Sequence, residues 1–312
     1  MTVHVGYLLP TRESVMEGRP QAEPLLNLAE RAEGLGYDSV WVGDSVLARP
    51  RHEPLTLLAG VAARTRHVKL GTAVLLPALR NPVLLAHQVA TLDQVSSGRL
   101  ILGVGIATDV PNIRAEFRSV GVPFEKRVGT LMEGMRLCKA LWAGKPVDWD
   151  GRWHVEQGVI GPTPHQPGGP PIWGGGSAPA ALERAARHFD GWFPNGPDAK
   201  RWGEQWRQVQ AMAREAGRKP GAPEAALYLT LAVDENAARA GERMDDFLSA
   251  YYGQRPDVMK KRQACFSGPA AAAAEWLNGY VQEGAGYLVL RFAGDHERHL
   301  ETFAKVREKL GK

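Results

Sequence analysis

The chain has 312 residues, 44% of them hydrophobic, and a formal net charge of +4 from 38 basic and 34 acidic side chains. This length fits two domains or one large α/β domain, and the scattered charges argue against a dedicated nucleic-acid-binding protein. Two cysteines, Cys138 and Cys265, make neither a disulfide framework nor a zinc motif. With no signal-peptide pattern and no apolar stretch of about 18 residues, we expect a cytoplasmic protein that does not bind membranes.

The first hundred residues predict alternating strands and helices. Apolar runs predict strands at residues 3–9, Ser39–Val42, 68–75 and Leu100–Val104. The helix before the fourth strand is the clearest, because Asn81 can cap it, Pro82 can begin it, and Leu85, Val89 and Leu92 fall on one face. The fourth strand has no polar alternation, which is typical of a parallel strand buried on both faces.

The remaining chain continues the alternation of predicted strands and helices, with two interruptions. Pro123 begins a long predicted helix that reaches residue 142. Residues 144–169, rich in tryptophan, glycine and proline, predict an excursion containing a hairpin, and residues 235–267 predict a second, helical excursion. Further strands are predicted at residues 171–173, 191–194, 225–233 and 287–292. Apolar residues at helical spacing between these segments predict helices.

Eight strands, each followed by a helix, predict an α/β fold of the (β/α)8 TIM barrel type with insertions. We expect one domain over residues 1–312, interrupted by the excursions at 144–169 and 235–267. A doubly wound parallel sheet is the alternative. The barrel is preferred because a dinucleotide fold would place its glycine turn after the first strand, where nothing matches.

The functional site of a barrel lies at the carboxyl ends of its strands. Gly174, Gly175, Gly176 and Ser177 follow the fifth strand and precede a helix, where free backbone N–H groups and the helix dipole favour a phosphate. The alternative interpretation is a tight turn with Ser177 as the helix cap. We favour phosphate binding because three glycines bring the backbone close to a ligand.

Asp44 ends the second strand, where its carboxylate either contacts a ligand or begins a solvated loop. Arg49, Arg51 and His52 follow in that loop and either meet an anionic substrate or stay solvated.

Two other patterns are weaker. Gly103 and Gly105 lack the third glycine of a nucleotide fingerprint and instead suit a flat ring lying close to the backbone. His296 and His299 are three residues apart on a helix but have no evident third ligand, so a solvated helix face is preferred and no metal site is expected.

Four segments with these features resemble the bacterial luciferase-like monooxygenase family of flavin- or deazaflavin-dependent oxidoreductases. They are LGYDSVWVGDS (35–45), VKLGTAVLLPALRNPVLLAHQVATLDQVSSGRLILGVG (68–105), GVPFEKRVGTLMEGMRLCKALW (121–142) and PPIWGGGSAPAALERAARHFDGWFP (170–194). GYLVLRF (286–292) is a looser match.

The resemblance implies a barrel that binds FMN or the deazaflavin coenzyme F420 at its strand ends. It implies a phosphate near the glycine turn and a ring near Asp44 and the ends of the third and fourth strands. The cofactor-binding residues so expected are Asp44, Thr72, Ala73, Val74, Gly103, Gly105, Ile106, Gly174, Gly175, Gly176 and Ser177. It also implies a non-proline cis peptide between Ala73 and Val74.

Departures from the family pattern affect the choice of cofactor. Luciferases have an arginine for the FMN phosphate where this chain has Ile106, and several deazaflavin dehydrogenases have a catalytic histidine where it has Ser45. The resemblance therefore favours F420 and hydride transfer to or from a small organic substrate, while leaving a sugar-phosphate substrate in doubt. Asp44 is the one catalytic candidate, and the substrate candidates are Arg12, Arg49, His52 and Trp192.

Two alternatives remain open at this point. One is an FMNH2-dependent monooxygenase that inserts an oxygen atom from O2, and the other is a flavin-binding protein without enzymatic activity. An unrelated barrel hydrolase is disfavoured, because the strand ends carry one acidic residue instead of a carboxylate pair or metal cluster. The family resemblance also implies a homodimer, with the first helices as a plausible interface.

Overall fold

The computed structural model describes residues 2–196 and 198–310. Its strands are β1 (His4–Leu8), β2 (Ser39–Val42), β3 (Lys69–Thr72), β4 (Leu100–Val104), β5 (Val147–Asp150), β6 (His154–Gly158), β7 (Ile172–Gly174), β8 (Gly191–Trp192), β9 (Glu224–Val233), β10 (Cys265–Gly268) and β11 (Tyr287–Phe292). Its helices are α1 (Glu13–Met16), α2 (Glu23–Gly34), α3 (Pro54–Arg64), α4 (Pro82–Val95), α5 (Pro111–Ser119), α6 (Arg127–Trp142), α7 (Pro179–His188), α8 (Ala199–Glu215), α9 (Ala237–Tyr252), α10 (Pro256–Lys260), α11 (Ala270–Gln282) and α12 (His296–Arg307).

Eight of these strands close into a parallel barrel, which confirms the predicted TIM-barrel fold. The strand order is β1-β2-β3-β4-β7-β8-β9-β11, and β11 pairs back onto β1 through the register His4 to Tyr287. The doubly wound alternative is wrong, because an open sheet would leave two unpaired edge strands.

The clearest sequence signals describe α4 correctly. The side-chain oxygen of Asn81 accepts a hydrogen bond from the N–H of Val83 at 2.9 Å, as expected of a helix cap. Leu85, Val89 and Leu92 are all buried. The 14-residue helix therefore packs through the face that its sequence period predicts. The long helix starts later than predicted, because a 3-10 turn (Phe124–Lys126) separates Pro123 from α6.

Large aromatic side chains fill the interior of the barrel. Trp41 stacks on Trp173 with ring centroids 5.4 Å apart, and Phe193 and Tyr287 pack against the same pair. All four are buried. The barrel is therefore a packed core, and a ligand is confined to its ends.

Both excursions interrupt the alternation of barrel strands and helices, and the second differs from its prediction. The first contains the predicted hairpin, formed by antiparallel β5 and β6. The second, predicted to be helical, holds α9 and α10 but ends in β10, which adds to the far half of β9 through the pair Cys265 to Thr230. Periodicity missed this strand because β10 is only four residues long. Within the described ranges, no helix is both long and apolar enough to cross a bilayer.

Candidate active site

A cavity of about 370 Å³ opens at the carboxyl ends of the barrel strands. Ala73, Val74 and Tyr228 form its floor, where they pack against the aromatic cluster of the barrel interior. The cavity is also lined by Asp44, Ser45, Arg49, Arg51, Leu76, Ala107, Thr108, Val110, Ile113, Glu116, Asn195, Tyr251, Tyr252, Gln254, Met259, Arg262 and Gln263. The second excursion closes one side of it through α9 and α10.

The peptide bond between Ala73 and Val74 is cis, which confirms the expectation drawn from the family resemblance. The Ala73 N–H donates to the carbonyl of Val42 at 2.7 Å, and the Leu75 N–H donates to the carbonyl of Gly103 at 2.7 Å. The cis bond therefore lies at the cavity floor, held to the neighbouring strands on both sides.

The glycines at the end of β4, Gly103 within the strand and Gly105 just after it, allow close packing with β3 and the segment that follows it. A Cβ at Gly103 would lie 2.0 Å from the carbonyl oxygen of Thr72, and a Cβ at Gly105 would lie 2.6 Å from Cγ2 of Val74. The Thr72 hydroxyl is fully buried and donates to the Gly103 carbonyl at 2.8 Å. The space that the glycines leave is therefore filled by protein atoms, while contact of Gly103, Gly105 and Ile106 with a ring stays a prediction.

Asp44 is held by Arg80 at the edge of the cavity. Its Oδ2 accepts from Nη1 of Arg80 at 2.5 Å and from the Leu76 N–H at 2.8 Å, and its Oδ1 accepts from Nη2 of Arg80 at 3.0 Å. The Asp44 side chain is 1% exposed. Its predicted role in orienting a ligand stays a prediction, with Arg80 as the group that fixes the carboxylate.

Glu116 of α5 is a cavity residue that sequence reasoning missed. Its Oε1 accepts from the Ser45 hydroxyl and from the N–H groups of Val46, Leu47 and Ala48, at 2.5 to 3.2 Å. Its Oε2 is buried and has no hydrogen-bond partner among the described residues. The one feature that could have identified Glu116 is that a carboxylate lies on the otherwise buried face of α5. No local sequence pattern connects α5 with the loop that Glu116 binds.

Arginines gather on a pair of tyrosines at the end of α9. Arg49 lies over the Tyr252 ring at 5.0 Å, Arg51 over the Tyr251 ring at 5.7 Å, and Arg12 over Tyr251 at 5.1 Å. These are cation–π distances. Sequence analysis did not assign these tyrosines to the site, because they belong to the second excursion, whose path no local pattern predicts.

A second cavity adjoins the first and shares Arg262 and Gln263 with it. Ser177 from the glycine turn lines it, and so do the cations Arg201, Lys260 and Lys261. The remaining lining residues are Gly196, Asp198, Gln205, Ala264, Cys265, Trp276 and Tyr280. An anion in this cavity would lie between the turn after β7 and the basic end of the second excursion.

The glycine turn is built differently from a simple helix cap. The N-cap of α7 is Ala178, which makes no side-chain cap, and the Ser177 hydroxyl donates to the carbonyl of Gly196 at 3.3 Å. The alternative interpretation of Ser177 as the cap is therefore wrong. Gly176 has a φ of +100° and Gly174 packs against Phe189, so the turn needs both glycines. The chemistry of the turn and the neighbouring cations fits a phosphate.

Of the four predicted substrate residues, Arg49 lines the cavity and Arg12 lies behind the Tyr251 ring, outside the cavity lining. The other two, Trp192 and His52, make their contacts elsewhere. Trp192 is fully buried between the barrel and its helices, stacks on Trp202 at 5.5 Å and donates its indole N–H to the Gly176 carbonyl at 2.9 Å. The His52 ring faces the carbonyl of Pro20 through Nε2, at 2.8 Å. The structure corrects both predictions, since a strand-end tryptophan can point outward and a loop histidine can turn away.

His296 and His299 are also placed differently from expectation. His299 is 1% exposed and its Nε2 accepts from the Val233 N–H at 2.9 Å, while Nδ1 of His296 lies 2.9 Å from the Tyr7 hydroxyl. Burial lowers the pKa of His296 to about 3 and also lowers the pKa of His299. The predicted solvated helix face is therefore wrong. The described residues contain no cluster of three or more histidine, cysteine or acidic side chains arranged for a metal ion.

Comparison with known proteins gives a family match over nearly the whole chain. The model of the luciferase-like monooxygenase family matches residues 3–311. A 5,10-methylenetetrahydromethanopterin reductase from Methanolobus tindarius is 31% identical over 255 residues, which cover 81% of this chain and 74% of that protein. An F420-dependent glucose-6-phosphate dehydrogenase from Kineococcus radiotolerans is 31% identical over 312 residues, covering 90% of each chain.

A solved structure agrees with the fold described above. Monooxygenase RslO1 from Streptomyces bottropensis superposes with a TM-score of 0.82 at 25% identity, covering 97% of this chain and 98% of the other.

Proposed function

The chain belongs to the luciferase-like monooxygenase family, and we propose that it is an oxidoreductase using F420 for hydride transfer to or from a small organic substrate. Two relatives support this at 31% identity over most of the chain, one named as a 5,10-methylenetetrahydromethanopterin reductase and the other as an F420-dependent glucose-6-phosphate dehydrogenase. The observation that carries the proposal is the pair of adjoining cavities at the strand ends. One has an apolar, aromatic floor for a ring and the other has a glycine turn and cations for a phosphate.

In this proposal the ring lies over Ala73 and Val74, beside Asp44 and the end of β4. The phosphate lies at Gly175, Gly176 and Ser177, where Arg201 and Lys261 supply positive charge. F420, when bound, supplies a ring carbon that accepts or gives a hydride.

The chain's own residues bind and orient the reactants. The Asp44–Arg80 pair fixes a carboxylate at the cavity edge, and Tyr251 and Tyr252 narrow the opening. A partly apolar site of this kind limits the access of water to a hydride transfer.

A second candidate is an FMNH2-dependent monooxygenase, because RslO1 is a monooxygenase at 25% identity. Ile106 favours F420, since it packs as a half-buried apolar side chain where luciferases have an arginine for FMN. The second excursion and the loop after β4 line the first cavity and would contact the substrate, whereas no described residue of the first excursion lines either cavity.

The experiment that tests the proposal measures cofactor binding and turnover together. We expect the purified protein to bind F420, with a change in its absorbance, and to bind FMN more weakly. Reduced F420 should persist in air without oxygen uptake until a substrate is added. Binding of neither cofactor would overturn the proposal, oxygen uptake with FMNH2 alone would establish the second candidate, and F420 binding without turnover across a substrate panel would favour a non-enzymatic flavin-binding protein.

Matched variants on one helix locate the phosphate. Arg201→Gln at the start of α8 removes a cation of the second cavity, and Arg214→Gln removes an exposed cation in the last turn of the same helix. We expect Arg201→Gln to weaken F420 binding about tenfold, in line with the loss of one charge-assisted contact, and Arg214→Gln to leave it unchanged. Equal effects of the two variants on F420 affinity would mean that the cofactor phosphate binds at another place.

We also propose that the protein is a cytoplasmic homodimer. Leu84 and Val95 on α4 are 64% and 51% exposed, which supports an apolar contact between copies. Cys138 and Cys265 are free thiols, which suits a reducing compartment. Light scattering should give a dimer mass that Leu84→Glu reduces to the monomer, and cell fractionation should find the protein in the cytoplasm. A parent protein of monomer mass would contradict the dimer.

A further inference from the structure

Four guanidinium groups surround one pair of rings beside the candidate active site. Arg49 and Arg51 line the cavity, while Arg12 and Arg291 lie behind the same rings. The Arg291 guanidinium is 4.8 Å from the Tyr251 centroid and 5.5 Å from that of Tyr252.

Arg291 is fixed by neutral acceptors. It donates to the Thr230 hydroxyl at 2.8 Å, to the Tyr252 hydroxyl at 3.0 Å and to Gln263 Oε1 at 3.3 Å. Burial by itself would lower the pKa of this guanidinium, but the surrounding tyrosines raise it well above its usual value. A permanent positive charge therefore lies beneath the tyrosine pair.

These cations lack carboxylate partners. In the part of the chain that the structure describes, none of the four forms an ion pair, although exposed arginines such as Arg64 and Arg114 do. Of the two carboxylates that line the cavity, Asp44 is paired with Arg80, and Glu116, bound by neutral donors of the loop after Ser45, leaves one negative charge against Arg49, Arg51 and Arg262. The cavity wall thus carries an excess of positive charge.

Glu13 is the nearest carboxylate in electrostatic terms, and it does not neutralise the cluster. Burial raises the pKa of Glu13, while Arg291 and Arg51 act in the opposite direction. Glu13 lines a separate cavity together with Phe247 and Gly294. A single carboxylate supplies at most one negative charge against four guanidinium groups.

Arg12 adds unpaired positive charge behind the tyrosine pair. Its Nε and Nη1 atoms are buried and have no hydrogen-bond partner within residues 2–196 and 198–310. Buried cations of this kind are normally paired, because burying an unpaired charge or donor is costly. Burial lowers the pKa of Arg12, as expected of a cation without a counter-ion.

The Arg51 side chain shows where the positive charge meets the barrel. A Cβ at Gly43 would lie 2.2 Å from Nη1 of Arg51, so the guanidinium lies directly over the end of β2. Arg49 has its side chain over Tyr252 and its N–H fixed to the Ser45 hydroxyl at 2.9 Å. Both guanidinium groups are therefore held in place before a ligand arrives, and their planar forks match the two oxygens of an oxyanion.

We propose that the substrate carries a small oxyanion, a carboxylate or a phosphate ester, which Arg49 and Arg51 bind at the cavity wall with Arg12 and Arg291 reinforcing the positive potential. This proposal rests on the proposed function, because it places the substrate beside the cofactor ring in the first cavity and the phosphate of the cofactor in the second. The tyrosine pair would pack against the carbon skeleton next to the anion.

The test is calorimetric titration of the F420-loaded protein at constant ionic strength. The probes are benzoate, phenyl phosphate and benzamide, which share a ring and differ in charge. Saturating F420 fills the second cavity, so that phenyl phosphate reports on the arginine cluster alone. We expect benzoate or phenyl phosphate to bind and benzamide to bind at least tenfold more weakly, and the better of the two anions identifies the substrate class.

Charge variants then connect binding to the cluster. Arg49→Gln should weaken binding of the preferred anion about tenfold, with partial recovery in Arg49→Lys, which keeps the charge but not the fork. Arg136→Gln removes an exposed cation from the middle of α6 and should change nothing. Circular dichroism and the melting temperature check that each variant is folded.

The outcomes separate this inference from the function on which it rests. Binding of neither anion, binding of the better anion no tighter than that of benzamide, or an unaltered anion affinity in Arg49→Gln would overturn the oxyanion site. A loss of F420 affinity in Arg49→Gln with anion affinity preserved would assign the arginines to the cofactor and overturn it too. Charge-dependent anion binding in a protein that fails to bind F420 would refute the proposed function and leave the oxyanion site standing.

Discussion

Glu116 and Ser45 are 71 residues apart in sequence, and the Ser45 hydroxyl donates to Oε1 of Glu116 at 2.8 Å. The same hydroxyl accepts from the Arg49 N–H at 2.9 Å. A carboxylate on α5 thereby fixes the loop after β2 that carries Arg49 and Arg51. This relationship links a buried acid to the positive wall of the candidate active site.

Removing the Glu116 carboxylate should destabilise the fold and release this loop. In Glu116→Ala the Ser45 hydroxyl and three backbone N–H groups lose their acceptor, and we expect the free energy of unfolding to fall by about 2 to 3 kcal/mol. Urea unfolding followed by circular dichroism measures this. Glu204→Ala on the exposed face of α8 is the control and should change stability much less. A similar loss in both variants would contradict the role given to Glu116.

The Asp44–Arg80 pair should behave as a buried ion pair. In Asp44→Ala the Arg80 guanidinium, whose side chain is 15% exposed, keeps only the exposed Glu53 as an acid partner among the described residues. Breaking a buried pair by removing one partner costs about 3 to 5 kcal/mol, and we expect a loss near the lower value. Asp109→Ala, which breaks an exposed pair with Arg114, should have little effect. Chemical unfolding without cofactor separates this structural role from any effect on turnover.

Two glycine-to-alanine variants should change stability in opposite directions. At Gly103 a Cβ would lie 2.0 Å from the Thr72 carbonyl oxygen, so Gly103→Ala should cost about 1 to 3 kcal/mol or more as β3 and β4 separate. Gly241 lies inside α9, and an added methyl there would meet no atom of another described element within 4 Å, so Gly241→Ala should add about 0.5 to 1 kcal/mol. Melting temperatures of the two variants and the parent decide this, and a stabilised Gly103→Ala would refute the strand contact.

Arg12 should contribute to binding at some expense of stability. Arg12→Met keeps the aliphatic stem and removes two buried N–H groups that have no partner in the described chain, so we expect the ligand-free protein to gain up to about 1 kcal/mol. Urea unfolding of the ligand-free protein measures the gain, and Arg136→Met on the exposed face of α6 is the control. A clear loss of stability in Arg12→Met alone would mean that its guanidinium is already satisfied.

His296 should make the protein less stable as the pH falls. Its folded-state pKa of about 3 lies below the value of a free histidine, so the unfolded chain binds the extra proton first. This stability is fully present above about pH 6.5 and declines towards pH 3, by about 2 kcal/mol between pH 6.5 and 5.

A matched pair of variants checks the His296 assignment. His296→Gln does not titrate and keeps a hydrogen-bonding partner for the Tyr7 hydroxyl, so urea unfolding should show a smaller loss between about pH 7.5 and 5 than in the parent. His87→Gln, an exposed change on α4, should leave the parent's pH dependence as it is. An unaltered pH dependence in His296→Gln would assign the loss to other groups, of which His299 is the first to examine.

Local patterns were sufficient wherever neighbouring residues decide the structure. The cap at Asn81, the apolar stripe of α4 and the eightfold repeat of strand and helix follow from backbone chemistry and side-chain period, and they specify a barrel with its site at the strand ends. The cis bond at Ala73 was reached through family resemblance, because no local rule requires it.

What only the tertiary structure decided is which side chains meet across the barrel mouth. Trp192 points outward into a stack of tryptophans, His52 turns to Pro20, and the second excursion brings Tyr251 and Tyr252 to the arginines. These contacts join segments up to about two hundred residues apart, so they depend on strand register and loop path, which side-chain period alone does not determine. The sequence by itself therefore determined the barrel and the end at which it works, and the packing of distant segments determined that the described site is walled by unpaired positive charge.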